Sequence, residues 1–165
     1  MADTPPSPDV HLLPDKVLAI GTYGETVAAY RYLVLAEKAA TEGERREFAA
    51  MADEEQCHKQ RLQKLLYDFY PDADFYLTPE DKNLVVDGPR LLDVRDADSF
   101  ALAMRMILAS ERKTAAFYAR LSKLVSEDQL CSLFHELAQE GVEHYQRLRA
   151  LTVHTHVPDP SADGS

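Results

Sequence analysis

The sequence contains one long segment twice, and the two copies align without a gap. Shifting the chain by 86 residues (144 minus 58) places His58 on His144 and Glu25 on Glu111. The same shift matches Ala29 with Ala115, Tyr32 with Tyr118, Leu35 with Leu121, Phe48 with Phe134, Ala52 with Ala138, Glu54 with Glu140, Gln60 with Gln146, Arg61 with Arg147, Leu62 with Leu148 and Leu65 with Leu151. Unrelated helices would not share this many identities at one offset. The chain is therefore predicted to consist of two copies of one helical hairpin.

Half of a metal site is indicated by Glu55 and His58, which are three residues apart (58 minus 55). On a helix the two side chains project from one face, where a carboxylate oxygen and an imidazole nitrogen can bind one metal ion. Each copy also carries a lone glutamate 33 residues before its histidine (58 minus 25, 144 minus 111). A single Glu-x-x-His is weak evidence, because a solvated pair or a core histidine explains it as well. Two histidines and two lone glutamates at identical offsets in a duplicated hairpin favour a metal site.

In order and spacing, residues 15–152 resemble the ferritin-like carboxylate-bridged diiron proteins, and most closely the rubrerythrin branch. The resemblance implies an all-α fold, an antiparallel ferritin-like four-helix bundle made of two repeated helical hairpins with a long crossover between helices two and three. It also implies iron, two ions per chain or one, with zinc and manganese as alternatives. The residues that it makes metal ligands are Glu25, Glu55, His58, Glu111 and His144.

One position departs from the family pattern. Gly141 stands three residues before His144, where the repeat and the family both call for a glutamate that would bridge the two metals. Three outcomes remain open: a two-metal site with an open edge, a site for one metal or a redox-inert one, or a one-residue π-bulge that rotates Glu140 into the vacancy as a replacement ligand. We expect the open site.

Two tyrosines and two cysteines accompany the predicted ligands. Tyr32 and Tyr118 lie two helical turns past the lone glutamates, where their hydroxyls could hydrogen-bond ligand carboxylates or serve as ordinary core aromatics. Cys57 flanks a ligand but faces roughly 100° away from it on an ideal helix. We interpret Cys57 and Cys131 as buried apolar side chains rather than as ligands.

Apolar spacing and helix-end signals predict four long helices. They are expected at about 15–41, from the turn at 42–44 to about 70, from Asp96 or Asp98 to about 125, and from the capping box at 126–129 through Leu151. The crossover at 71–96 is expected to be anchored by short apolar pieces at 75–77, 84–86 and 91–92. We expect a flexible N-terminal arm at 1–12, one bundle at 13–153 and a flexible tail at 154–165.

Charge and motifs limit the function classes. A formal net charge of −10 argues against nucleic-acid and anionic-membrane partners, which need basic patches. The N-terminus lacks signal-peptide features and no apolar run is long enough for a membrane span, so we expect a cytoplasmic protein. The two cysteines form no Cys-x-x-Cys pair, so the rubredoxin-type module is missing and electrons are expected from an external donor.

The predicted function is reduction of a small-molecule oxidant, peroxide or oxygen, at the incomplete dimetal site. The alternative is a non-enzymatic bundle that binds a single structural metal, or none, and acts as a binding protein. A hydroxylase of an organic substrate on the same scaffold is a further enzymatic alternative. A homodimer is plausible for a bundle with a long crossover, although no residue pattern requires one.

Overall fold

A computed structural model describes residues 14–73 and 76–154, without the side chains of the last two. Its elements are five helices: α1 (Pro14–Lys38), α2 (Glu42–Phe69), α3 (Pro79–Asn83), α4 (Ala97–Leu124) and α5 (Asp128–His154). The prediction of an all-helical bundle with four long helices is confirmed. The predicted arm at 1–12, and all of the predicted tail except its first residue, lie outside the described residues. No helix in the described ranges is long and apolar enough to cross a membrane.

Two helical hairpins form the bundle. α1 packs along α2, and α4 packs along α5, each pair joined by a turn too short for anything but antiparallel neighbours. α1 ends at Lys38 rather than at the predicted 41, because Thr41 is the N-cap of α2 and accepts a hydrogen bond from the backbone N–H of Glu44. Asp96, one of the two predicted caps, starts α4 in a reciprocal capping box with Ser99.

The core consists of two apolar clusters, one toward each end of the bundle. On α1 one cluster takes residues from 17 to 27 and the other takes residues from 32 to 36, and each of the other long helices divides in the same way. Glu25, Glu55, His58, Glu111 and His144 fall at the junction of the two clusters and are all buried. The fold therefore brings these five buried side chains to one level of the bundle.

The crossover contains the short helix α3, which the sequence analysis did not predict. Thr78 and Asp81 cap α3 reciprocally, and Asp81 forms an ion pair of 3.0 Å with Lys16 of α1. Of the three apolar pieces, the middle one anchors the crossover as predicted, through buried Val85 and Val86. The prediction for 91–92 is wrong for Leu91, which is 66% exposed.

Close approach of the crossover to α1 requires a glycine. A Cβ atom on Gly24 would lie only 2.9 Å from Cβ of Val85, a separation that real side chains do not tolerate. Gly24 directly precedes Glu25, so the same turn of α1 supports both the crossover and the buried carboxylate.

A buried arginine holds the rest of the crossover. Arg31 is 1% exposed, and its Nη2 donates to the carbonyl oxygens of Asp87 and Pro89, each at 2.7 Å. Its Nη1 donates to Oγ of Ser110 at 3.0 Å, and Ser110 also accepts from the backbone N–H of Asp87. One guanidinium therefore fastens the crossover to α1 and α4 together.

Replacing Arg31 with methionine is expected to lower the free energy of unfolding by about 3 kcal/mol, because two buried carbonyl groups lose charged donors. Urea unfolding followed by circular dichroism measures the change. The matched control is Lys113→Met, which removes a half-exposed ion pair to Asp87. The control should cost less than about 1 kcal/mol. Equal losses in the two variants would contradict the assigned role of Arg31.

Candidate metal centre

The five predicted ligands lie together at mid-height in the bundle. They form two groups whose donor atoms lie within 4.8 Å of one another, Glu25, Glu55 and His58 in one and Glu55, Glu111 and His144 in the other. Glu55 belongs to both groups. Each of the four long helices thus contributes to one cluster of three carboxylates and two imidazoles.

Glu55 stands between the two histidines. Its Oε2 lies 3.1 Å from Nδ1 of His58, and its Oε1 lies 2.7 Å from Nδ1 of His144. The two imidazole rings stack with centroids 6.0 Å apart and an angle of 27° between their planes. Each oxygen of one carboxylate therefore faces a different nitrogen, as in a carboxylate that bridges two metal positions.

The lone glutamates occupy the two flanks of this arrangement. Oε2 of Glu25 lies 3.9 Å from Nδ1 of His58, and Oε1 of Glu111 lies 3.7 Å from Nδ1 of His144. Each flank thus offers one terminal carboxylate beside one imidazole and one oxygen of Glu55. The repeat relates the two halves to each other, but only one of them supplies a carboxylate in the bridging position.

Both tyrosines donate to these glutamates across the bundle. The hydroxyl of Tyr32 on α1 donates to Oε1 of Glu111 on α4 at 2.5 Å, and that of Tyr118 on α4 donates to Oε1 of Glu25 on α1 at 2.7 Å. Of the two interpretations left open for these tyrosines, the structure favours support of the carboxylates. Each donated hydrogen bond fixes the orientation of its carboxylate.

The outer nitrogens of both histidines contact glutamates that the sequence analysis did not link to them. Nε2 of His144 lies 2.7 Å from Oε2 of Glu54, and Nε2 of His58 contacts Oε2 of Glu140. Glu140 therefore lies on the side of the imidazole that faces away from the carboxylate cluster. α5 is α-helical throughout 128–154, so the π-bulge that would move Glu140 into the cluster is not formed.

Gly141 faces α4 at close range. A Cβ atom built on Gly141 would lie 3.2 Å from Cβ of Ala115 and 3.5 Å from its Cα. That contact is tight, so a larger residue at 141 requires the two helices to give by a few tenths of an ångström. The loss of the second carboxylate is accompanied by close packing of α4 on α5.

The protonation of the carboxylates reflects their burial. Burial raises the pKa of Glu55 well above its ordinary 4.5, and the charge of Glu25 raises it further. Burial also raises the pKa of Glu111, helped by the charge of Glu55. Burial acts in the same direction on Glu25, but hydrogen bonds to Glu55, His58 and Tyr118 outweigh it, so the pKa of Glu25 is lowered.

His58 supplies the positive charge of the metal-free cluster. Burial alone would lower its pKa, but hydrogen bonds and charges from Glu25 and Glu55 raise that pKa from 6.5 to about 11. The imidazolium of His58 thus stands beside the ionised carboxylate of Glu25, and the raised pKa values of Glu55 and Glu111 favour the retention of their protons. Protons retained on metal ligands are those that a cation displaces when it binds.

The donor set fits a transition-metal pair. Glu25, Glu55 and Glu111 are only 3%, 2% and 5% exposed, and their ion-pair partners in the described part of the chain are the two histidines. Three buried carboxylates are costly unless cations neutralise them. Oxygen ligands with one imidazole nitrogen per metal suit iron or manganese, and zinc accepts the same atoms.

An open cleft of about 380 Å³ lies outside the histidines, between α2 and α5. Most of the residues that line it are charged: Asp53, Glu54, Cys57, His58, Arg61, Glu140, Glu143 and His144.

The prediction of a buried Cys57 is wrong, because that side chain is exposed. Cys131 is half-buried and donates to the carbonyl of Ser122 at 3.0 Å. Both cysteines are free.

The sequence profile of the rubrerythrin family matches residues 16–152. The chain belongs to the rubrerythrin family. The resemblance inferred from the duplicated motif is thereby confirmed, over nearly the same residues. No curated protein matches the chain in sequence.

Solved structures similar to this rubrerythrin-family chain share its ferritin-like fold. A hypothetical protein from Pyrococcus furiosus has a TM-score of 0.73 at 24% identity, over 86% of this chain and 89% of its own. A dodecameric thioferritin from Bacteroides fragilis, described as bacterioferritin-related, has a TM-score of 0.66 at 21% identity, over 85% and 84%. The manganese catalase KatB from Anabaena has a TM-score of 0.65 at 18% identity, over 100% and 86%.

The metal-free protein is expected to lose stability as pH rises from 5 to 8. Glu55 and Glu111, with raised pKa values, keep protons that the unfolded chain releases above about pH 4.5, so their contribution falls with rising pH. The contribution of His58 is complete below pH 6.5 and is lost progressively toward pH 11. Because the pKa of Glu25 is lowered, this residue changes the stability only below pH 4.5, outside the range from pH 5 to pH 8.

Thermal unfolding of chelator-treated protein at three pH values tests this expectation. Glu55→Gln should flatten the slope, because it removes one of the raised carboxyls. The opposite trend is expected for metal affinity, which should increase with pH as the ligands give up protons. A melting temperature of the metal-free protein that rises from pH 5 to pH 8 would contradict the protonation pattern.

Proposed function

We propose that this chain is a rubrerythrin-like non-haem diiron protein that reduces peroxide or oxygen at a dimetal site with a single bridging carboxylate. The observation that carries the proposal is the position of Glu55, with one oxygen toward Nδ1 of His58 and the other toward Nδ1 of His144. A carboxylate with two opposed imidazoles is arranged for two cations rather than one.

Each side chain has a definite role in this proposal. Glu55 would be shared between the two metals, Glu25 and Glu111 would each hold one of them, and His58 and His144 would give one nitrogen to each. Tyr118 and Tyr32 hold the terminal carboxylates in place. A bound pair of ferrous ions would supply the electrons for two-electron reduction of the oxidant. Manganese and zinc are the alternative occupants, and one ion per chain is the alternative stoichiometry.

The surroundings of the site bear on access and on electron supply. The cleft between α2 and α5 reaches the outer faces of both histidines, and most of the residues that line it are charged. We expect reducing equivalents to come from an external donor, since the two cysteines are free and far apart in sequence. We also expect a homodimer.

One observation favours a second function. The tight packing of Gly141 on Ala115 occupies the place from which a second bridging carboxylate would extend. A bundle that has abandoned dimetal chemistry, and binds a partner with one structural metal or none, would tolerate such packing. This non-enzymatic alternative differs from the diiron proposal in its metal stoichiometry.

Anaerobic titration with ferrous iron, followed by addition of peroxide or oxygen, tests the proposed function. Two equivalents per chain, with near-ultraviolet absorption of ferric iron developing rapidly after the oxidant is added, are expected. Glu55→Ala is expected to abolish the second equivalent, whereas Asp53→Ala, in the same cleft, should bind as the parent does. One equivalent or none in the parent protein, without an absorption change, would favour the non-enzymatic bundle.

Restoring the lost carboxylate is expected to tighten the second metal site. Gly141→Glu alone should destabilise the fold, because its Cβ meets Ala115 at 3.2 Å. Combined with Ala115→Gly, it should increase affinity for the second ion at least tenfold, worth about 1.4 kcal/mol. Ala115→Gly alone is the control. An unchanged second affinity in the double variant would show that position 141 does not face the metals.

A further inference from the structure

A small cavity lies against the carboxylate cluster on a side that the histidines do not line. Its volume is about 20 Å³, and its walls include Glu25, Glu55 and Glu111 but neither His58 nor His144. The cleft between α2 and α5 has the opposite lining, with both histidines and none of these three glutamates. The cavity is therefore a separate approach to the proposed dimetal site, from its carboxylate side.

The walls of this cavity come from α1, α4 and the crossover. Arg31 of α1 and Ser110 of α4 line it, and so do Val85 and Val86 of the crossover, both of them buried. A cavity of this volume is large enough for one water-sized molecule. A ligand of one or two non-hydrogen atoms fits there, and an organic substrate does not.

Two hydrogen-bond donors at the cavity have no acceptor among the described residues. Nε of Arg31 is buried without a partner, although both Nη atoms of the same side chain donate. Oγ of Ser110 accepts from Nη1 of Arg31 and from the backbone N–H of Asp87, so its own hydrogen remains to be donated. An unpaired buried donor on a charged group is costly, and native proteins rarely keep one without a role.

We propose that this cavity binds one molecule of hydrogen peroxide. Arg31 and Ser110 donate to a peroxide oxygen, and the carboxylates on the opposite wall accept its hydrogens. Dioxygen has no hydrogen to donate, and an anion would face three carboxylates. The inference rests on the proposed function, and it selects peroxide over oxygen as the oxidant for that site. Water offers the same donors and acceptors as peroxide, so the experiment has to separate the two.

Nitrogen–proton NMR of the metal-free chain tests binding without oxidation chemistry at a metal. The Nε–H resonance of Arg31 is identified by its absence from the spectrum of Arg31→Lys, and hydrogen peroxide is then added in steps. We expect a shift that saturates with peroxide concentration and that is reversed when catalase destroys the peroxide. Reversal distinguishes binding from oxidation of the free cysteines. An absent or non-saturating shift would mean that the cavity holds water alone and would overturn the proposal.

Filling the cavity tests whether it is the binding site. Ala28 is half-buried and lines the cavity, so Ala28→Val should weaken the binding of peroxide at least tenfold. Ala119→Val adds the same two methyl groups at a half-buried position of α4 outside the cavity, at the same cost in helix propensity. This control should bind peroxide as the parent does. Equal affinities in Ala28→Val and the control would place the peroxide elsewhere.

The iron-loaded chain provides a second readout, the rates at which ferric absorption develops with peroxide and with oxygen. Arg31→Lys keeps the positive charge and removes the Nε–H donor. It should slow the reaction with peroxide by about tenfold, the effect of one hydrogen bond from a charged group, and leave the reaction with oxygen unchanged. Lys113→Met removes a charge beside Asp87 and outside the cavity, and it should leave both rates unchanged.

This inference and the proposed function fail in different ways. If the parent chain develops ferric absorption and Arg31→Lys slows both oxidants equally or neither, the peroxide site is wrong and the diiron function stands. If the Arg31 resonance shows the saturating shift in a chain that binds no iron, the diiron function is wrong and the peroxide site stands.

Discussion

Three carboxylates buried at one level of a helical bundle are the constraint on which the rest of this structure depends. Each of Glu25, Glu55 and Glu111 would be costly to bury alone, and the ion-pair partners described for them are two imidazoles. Three features reduce or offset this free-energy cost. The raised pKa of Glu55 favours its protonated form, the tyrosine hydroxyls donate hydrogen bonds to Glu25 and Glu111, and an apolar cluster packs on either side. The buried carboxylates oppose folding, and the apolar packing in the two clusters offsets that free-energy cost.

The duplicated hairpin explains why so few residues suffice to build this centre. In both copies these contacts join the two hairpins. Each tyrosine donates a hydrogen bond to the buried glutamate of the opposite copy, and Glu54 and Glu140 each contact the histidine of the opposite copy. The centre consequently forms only when the hairpins dock. The five-residue cluster therefore depends on the association of the two hairpins as well as on the fold of each.

Much of this arrangement could be read from the sequence, because the repeat fixes which residues are equivalent and helical spacing fixes which faces they share. The fold, the helix order and the assembly of five side chains followed from that pattern. The sequence pattern did not predict the exposure of two apolar side chains. Cys57 lies in an open cleft, and Leu91 is 66% exposed. Arg31 could not be foreseen either, since its partners are backbone carbonyls of an irregular segment.

The contacts of Glu54 and Glu140 with the two histidines could not be predicted from the sequence pattern. The repeat shows that the two glutamates are equivalent to each other. It does not predict that each of them contacts the histidine of the other copy. The exchange depends on how α2 and α5 cross, which is a property of packing. Gly141 belongs to the same crossing region, because it allows α5 to approach Ala115 on α4 closely. Gly141 stands where the repeat predicts a carboxylate, whereas Glu54 and Glu140 are both present and contact the histidines. The substitution thus removes one carboxylate from the inner side of the cluster and leaves the contacts on the outer side of both imidazoles in place.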